Sequence, residues 1–223
     1  MQEKLSFDLV LCLDASGSCL VVFEELRYNF DKFLPALIDS LKEKYQTNDI
    51  SLRVKVVAFR DYEADAVPME ETKFFIYPDE EKDLKRFIEE IDIYGGGDLL
   101  ENALEGLVYS IKSDWRKEAK QCITSISDMP PLKLGKRAVD FIDYPKDMPK
   151  NMEELSDLWF NKNDNVSFDY KRGSLVIISP DCDEYNQIEK EWQNVLYHKI
   201  KPMAGVHDLE YTDIINDIVA SLK

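Results

Sequence analysis

The chain has 223 residues, which at roughly 100–200 residues per domain predicts one large domain over 1–223. Hydrophobic residues make up 44%, with only 8 Gly and 9 Pro, so there is material for a sizeable core and little of the composition that keeps a chain disordered. Twenty-eight basic against 44 acidic side chains give a net charge of −16, which repels phosphate backbones and anionic lipid and sets aside nucleic acid and membrane as partners.

In chain order, a nearly continuous apolar run at 6–13 reads as a central parallel strand covered on both faces. Apolar residues from Phe23 to Leu41 then recur at intervals of three and four, the stripe of a helix running to about Tyr45, with Pro35 as a possible kink. LRVKVVAF at 52–59 is a second strand, and ETKFFIYP at 71–78 a shorter antiparallel edge. A helix over 80–91 leads to the glycine cluster YGGGD at 94–98, and another from Leu100 ends near Trp115 and Lys120. QCITSIS at 121–127 is a buried strand closing on Asp128; residues 129–151, rich in Pro and Lys, read as an insertion loop before a short helix at 152–161. GSLVIIS at 173–179 is a further strand, followed by a helix at 184–198, a small strand near 199–203 and a terminal helix at 208–222. The alternation predicts a doubly wound α/β domain: a mostly parallel six-stranded sheet with one antiparallel edge strand and helices on both faces. Ligands of such sheets bind beyond the carboxyl ends of the strands.

Three of those ends carry chemistry. Asp14-Ala15-Ser16-Gly17-Ser18 puts one carboxylate and two hydroxyls at alternate positions of a strand-to-helix loop, where they point the same way and suit a hard cation. Taken alone, Ser16 or Ser18 serves equally well as a helix N-cap. Asp98, followed by Glu101, precedes a helix in a capping-box spacing, and Asp128 ends a strand in DMPP. Asp61, in FRDY at 59–62, is either a neighbour of the same site or an exposed loop acid paired with Arg60 or a lysine.

The motif order DxSxS, GG turn, strand-ending Asp resembles the von Willebrand factor A (vWA) domain over roughly residues 5–222. The resemblance implies a Rossmann-like fold and a metal-ion-dependent adhesion site (MIDAS) in which Asp14, Ser16, Ser18 and Asp128 hold Mg²⁺ or Mn²⁺, with Ca²⁺ disfavoured. Gly97 stands where that family commonly has a coordinating threonine. The GGGD and DxPP variants are similar to those of bacterial and alpha-kinase-linked A domains; a carboxylate at Asp98, helped by Glu101, would then replace the missing hydroxyl, as acidic residues do in integrin β-type A domains, with Asp61 behind the site.

The implied function is a non-enzymatic, cation-dependent adaptor that receives an Asp or Glu of a partner protein. Two other classes remain: a haloacid-dehalogenase-like phosphoryl-transfer enzyme, which would need a second aspartate where Ser16 stands, and a scaffold whose metal site has decayed. His198 and His207 lack ligand spacing, and Trp115, Trp159 and Trp192 fall at packing positions. The four cysteines form no CxxC pair and read as free thiols; with no secretory or membrane-spanning run, the expected compartment is cytoplasmic.

Overall fold

The computed structural model describes residues 4–95, 100–136, 144–162 and 166–222. Its strands are β1 (Leu5–Asp14), β2 (Ile50–Phe59), β3 (Met69–Glu71), β4 (Phe75–Tyr77), β5 (Lys120–Ile126), β6 (Gly173–Pro180) and β7 (Val195–Ile200), and its helices α1 (Leu20–Tyr45), α2 (Glu81–Glu90), α3 (Ala103–Ile111), α4 (Met152–Trp159), α5 (Asp183–Glu191) and α6 (Tyr211–Ser221). They form one seven-stranded sheet in the order β3-β2-β1-β5-β6-β7, with β4 also paired to β2. The five long strands run parallel, while β3 and β4 are antiparallel to β2. The edge read as one strand at 71–78 is therefore two short pieces on the same neighbour.

Side-chain alternation explains why the central strands are apolar throughout. Phe7, Leu9, Leu11 and Leu13 of β1 face one core, with Phe23, Phe30, Phe33 and Leu37 of α1 and Ile214 and Ile218 of α6. Val10 and Cys12 face the other, with Leu104, Leu107 and Ile111 of α3, Trp159 of α4 and Ile188 of α5. Both faces are thus covered, as a parallel sheet requires. Pro35 lies inside α1, which continues through it for 26 residues. No helix among the described residues is long and apolar enough to cross a membrane.

Two helices stop earlier than their periodicity suggests. The helix expected over 184–198 ends at Glu191; Asn194 takes a left-handed backbone (φ 58°) and donates from Nδ2 to Gly173 O at 3.0 Å. That turn releases Val195–Ile200 to pair along β6, so ladder hydrogen bonds override the helical spacing of Ile188, Trp192 and Leu196. Trp192 stacks on Trp159 with ring centroids 4.5 Å apart. Helix α3 ends at Ile111, where Trp115 folds back and donates from Nε1 to Ser110 O at 3.0 Å. The described parts of 129–151 are irregular, as expected, but they are docked: Leu132, Leu134, Tyr144 and Met148 are buried, and Tyr144 Oη donates to the buried Glu105 of α3 at 2.8 Å.

Candidate metal centre

Strands β1 and β5 are neighbours in parallel register, Leu13 opposite Ile126, so their next residues, Asp14 and Ser127, leave the sheet side by side and Asp128 follows. Asp14 Oδ1 accepts the Ser16 N–H at 2.9 Å, and Oδ2 accepts the Ser127 hydroxyl at 2.7 Å. Ser16 Oγ lies 3.2 Å from Ser18 Oγ. Ser16 precedes a 3-10 turn, Gly17–Cys19, without capping it through its side chain, and the residue ahead of α1 is Cys19. The serines are therefore not spent as helix caps.

Asp14, Cys19 and Asp128, all buried, each offer a ligand atom, and these atoms lie within 4.8 Å of one another. Asp128 is fully buried, yet neither Oδ1 nor Oδ2 is met by an N–H or O–H donor among the described residues; the one group that hydrogen-bonds it is the weakly donating Cys19 thiol. A buried carboxylate without strong donors is costly unless something positive completes it. Burial pushes the Asp14 carboxyl up to about 6; the Ser16 and Ser127 hydrogen bonds oppose this and the charge of Asp128 adds to it. The Cys19 thiol is likewise raised by burial and then by both aspartates. A divalent cation would reverse the charge contributions in both cases.

The loop carrying the glycine cluster docks on this site: Tyr94 N–H donates to Ala15 O at 3.2 Å, and Gly17 N–H to Gly95 O at 3.5 Å. Gly95 has φ +84°, and a Cβ there would sit 1.8 Å from Asp65 Oδ1. Asp98 and Gly97 lie outside the described residues. Asp61 is buried, but its Oδ1 accepts the Glu63 N–H at 2.8 Å and it does not belong to the close cluster. Its neighbour Arg60 pairs with Glu70 at 2.8 Å and lies 4.9 Å over the Tyr94 ring. Glu101 is buried, its backbone bridging to Pro131 and accepting the Leu132 N–H; it too stands outside that cluster.

Sequence reasoning passed over two members of the site. Cys19 directly follows the second serine of DxSxS, and Ser127 directly precedes Asp128; adjacency to a motif was the available signal. It also did not single out the exposed apolar side chains near the site. Leu20, Val67, Tyr94 and Met203 are four of the six large apolar side chains exposed among the described residues. Leu20 follows Cys19, Met203 N–H donates to Asp128 O at 2.9 Å, and Val67 O accepts from Arg60 at 2.9 Å. Met203 holds a left-handed backbone, φ 59°, an uncommon state for such a side chain.

No family model and no curated protein matches the sequence. Solved structures do match in shape. The pilus adhesin SpaC from Lactobacillus rhamnosus GG superposes with a TM-score of 0.57 at 13% identity, over 100% of this chain and 31% of that one. The SpRpn10 VWA domain gives 0.51 at 11% identity, over 95% and 94%. Proximal thread matrix protein 1 from the mussel byssus, with a zinc-occupied MIDAS motif, gives 0.51 at 14% identity, over 98% and 48%. The chain thus spans less than half of the adhesin and of the byssus protein. With its parallel sheet, two helical layers and polar carboxyl edge, it has a von Willebrand factor A-like fold.

Proposed function

We propose that this chain is a divalent-cation-dependent protein-binding module rather than an enzyme. The cation sits between Asp14 and Asp128, with Ser16 and Ser18 beside them; Asp98, outside the described residues, is the ligand that the sequence resemblance implies for the middle loop. The observation that carries this reading is Asp128, a fully buried carboxylate whose two oxygens lack N–H and O–H donors among the described residues while facing a second buried acid. An all-oxygen donor set of this kind suits Mg²⁺ or Mn²⁺, which keep part of their shell for water or an external oxygen. A partner's Asp or Glu completes that shell.

The partner's chemistry follows from the surface near the site. Leu20, Tyr94, Val67 and Met203 are exposed apolar side chains on segments tied to the loops of the polar centre, and exposed apolar side chains near one site mark interaction surfaces. An acidic residue flanked by apolar ones therefore fits better than an acidic segment, which the charge of −16 repels. The phosphoryl-transfer reading lacks its second acid, since the residue two beyond Asp14 is Ser16, whose hydroxyl is engaged with Ser18.

The test is thermal melting of chelator-treated protein with added Mg²⁺ or Mn²⁺, because a ligand of the native state alone raises the melting temperature. The reading requires a rise that Asp14→Ala and Asp128→Ala abolish, and partner capture that EDTA reverses. No rise with either metal would leave a scaffold without a metal.

A further inference from the structure

The oxygen donor set leaves out the third member of the cluster. Cys19 is fully buried, and its Sγ lies within 4.8 Å of the ligand oxygens of both Asp14 and Asp128. We propose that Cys19 is a metal ligand and that the site consequently takes a zinc-class cation in preference to Mg²⁺. The proposal rests on the metal-site reading above and changes its ligand set and its metal.

The geometry suits it. Zinc bonds sulfur at about 2.3 Å and carboxylate oxygen at about 2.0–2.2 Å, so two ligand atoms on one ion are at most about 4.5 Å apart. Tetrahedral angles bring such atoms to about 3.5 Å, so the observed spread of up to 4.8 Å closes with about 1 Å of side-chain movement. Cys19 also occupies the cap position of α1, a helix of 26 residues, so its sulfur stands where the DxSxS loop enters that helix, beside both aspartates. The further sign of a ligand is Asp128, fully buried, with neither oxygen met by an N–H or O–H donor among the described residues and only the weak thiol donor of Cys19 against it.

Chemistry then sets the metal. A thiolate is a soft donor that selects zinc over magnesium, whereas Mg²⁺ binds oxygen in strict octahedra. On binding, the metal takes the sulfur lone pair and the thiol proton leaves to solvent; no electron is transferred. Two carboxylates and one thiolate make three protein ligands, leaving the fourth tetrahedral position to water, a serine hydroxyl or the partner's carboxylate. The extra negative charge weakens the pull on that last group relative to an all-oxygen site.

Cobalt(II) reports sulfur ligation through an intense thiolate-to-metal absorption in the near ultraviolet. The parent for the test carries Cys182→Ser, since Cys182 is the only partly exposed thiol among four free cysteines and the other three are buried. Chelator-stripped parent titrated with Co²⁺ should develop the thiolate band and four-coordinate visible bands, and Zn²⁺ but not Mg²⁺ at equal concentration should displace them. Cys19→Ser should lose the band and bind Zn²⁺ at least about tenfold more weakly, while Mn²⁺ still raises its melting temperature; Cys19→Ala serves if the serine variant does not fold, and the parent spectrum decides by itself. Co²⁺ binding without a thiolate band overturns the inference and leaves the metal-site reading intact. Failure of Co²⁺, Zn²⁺ and Mn²⁺ alike to bind overturns both.

Discussion

The Ser127 hydroxyl donates to Asp14 Oδ2 at 2.7 Å, across the boundary between two neighbouring parallel strands. The bond fixes the carboxylate's rotation and favours its ionised form. Its other oxygen is fixed by the Ser16 N–H, so Asp14 enters the site pre-oriented. Ser127→Ala should raise the Asp14 carboxyl further and weaken Mn²⁺ binding by about tenfold, the scale of an outer hydrogen bond to a metal ligand. Without metal the protein should also lose about 1–3 kcal/mol near neutral pH, because the buried Asp14 oxygen loses its donor. Titration of both proteins with Mn²⁺ checks this, and equal affinities would show that Ser127 does not position Asp14.

Metal binding should depend on pH through the same group. Burial holds Asp14 at about 6, against an ordinary value of 3.8, so the folded metal-free protein binds this proton more tightly than the unfolded chain. The resulting stabilisation is full below about pH 4 and is lost as pH rises through 6, about 3 kcal/mol in all. Asp14→Asn, which cannot ionise, should therefore gain stability relative to the parent between pH 4 and pH 7. Metal opposes the proton, so Mn²⁺ affinity should climb with pH up to about 6 and flatten above it. Paired denaturation and metal titrations from pH 4.5 to 8 measure both slopes.

Much of this site was legible because its proposed ligands come from the ends of strands, where an apolar run breaks abruptly on an acid. Asp14 and Asp128 stand out for that reason, and the sheet topology brings them together. Cys19 did not stand out because a thiol among apolar neighbours reads as core, as Cys12 and Cys122 in fact are. Only the 3-10 turn between Ser16 and α1 aims it at the aspartates. The end of α5 was hidden for a different reason: Leu196 keeps helical spacing with Ile188 and Trp192, and nothing local announces that Asn194 adopts φ 58°. The exposed apolar side chains near the site did not stand out because Leu20, Tyr94, Val67 and Met203 come from four separate segments.

Gly95 couples the glycine loop to the site. With φ +84°, any side chain there is strained, and a Cβ would meet Asp65 Oδ1 at 1.8 Å. Asp65 cannot simply swing away, since its Oδ2 accepts the Asp61 N–H at 3.0 Å. Gly95→Ala should cost about 1–3 kcal/mol, a left-handed backbone penalty plus a displaced hydrogen bond. It should also loosen the contact of Gly95 O with the DxSxS loop and lower Mn²⁺ affinity. Chemical denaturation with a parallel metal titration tests both; an unchanged midpoint would mean the loop relaxes freely.

The opposite end of β1 supplies a control for all of these variants. Asp8, fully buried six residues before Asp14, accepts from Arg53 Nε at 3.0 Å and Nη2 at 2.6 Å, and from the Arg116 backbone N–H at 2.9 Å and Nε at 2.8 Å. Arg116 in turn reaches Phe7 O and Ser51 O on β1 and β2, so one carboxylate ties together the amino edge of three segments. Removing it leaves two guanidinium groups without their counter-charge. Such losses cost about 3–5 kcal/mol for fully buried pairs, and the partial exposure of Arg53 and Arg116, 17% and 28%, places Asp8→Ala near the lower figure. Because six strand residues separate it from Asp14 by about 20 Å, metal affinity should stay within twofold of the parent while the denaturation midpoint falls. If metal affinity fell in step with stability, the losses seen in Ser127→Ala or Gly95→Ala would reflect a loosened sheet rather than a disturbed site; constant affinity in Asp8→Ala makes those losses local to the metal centre.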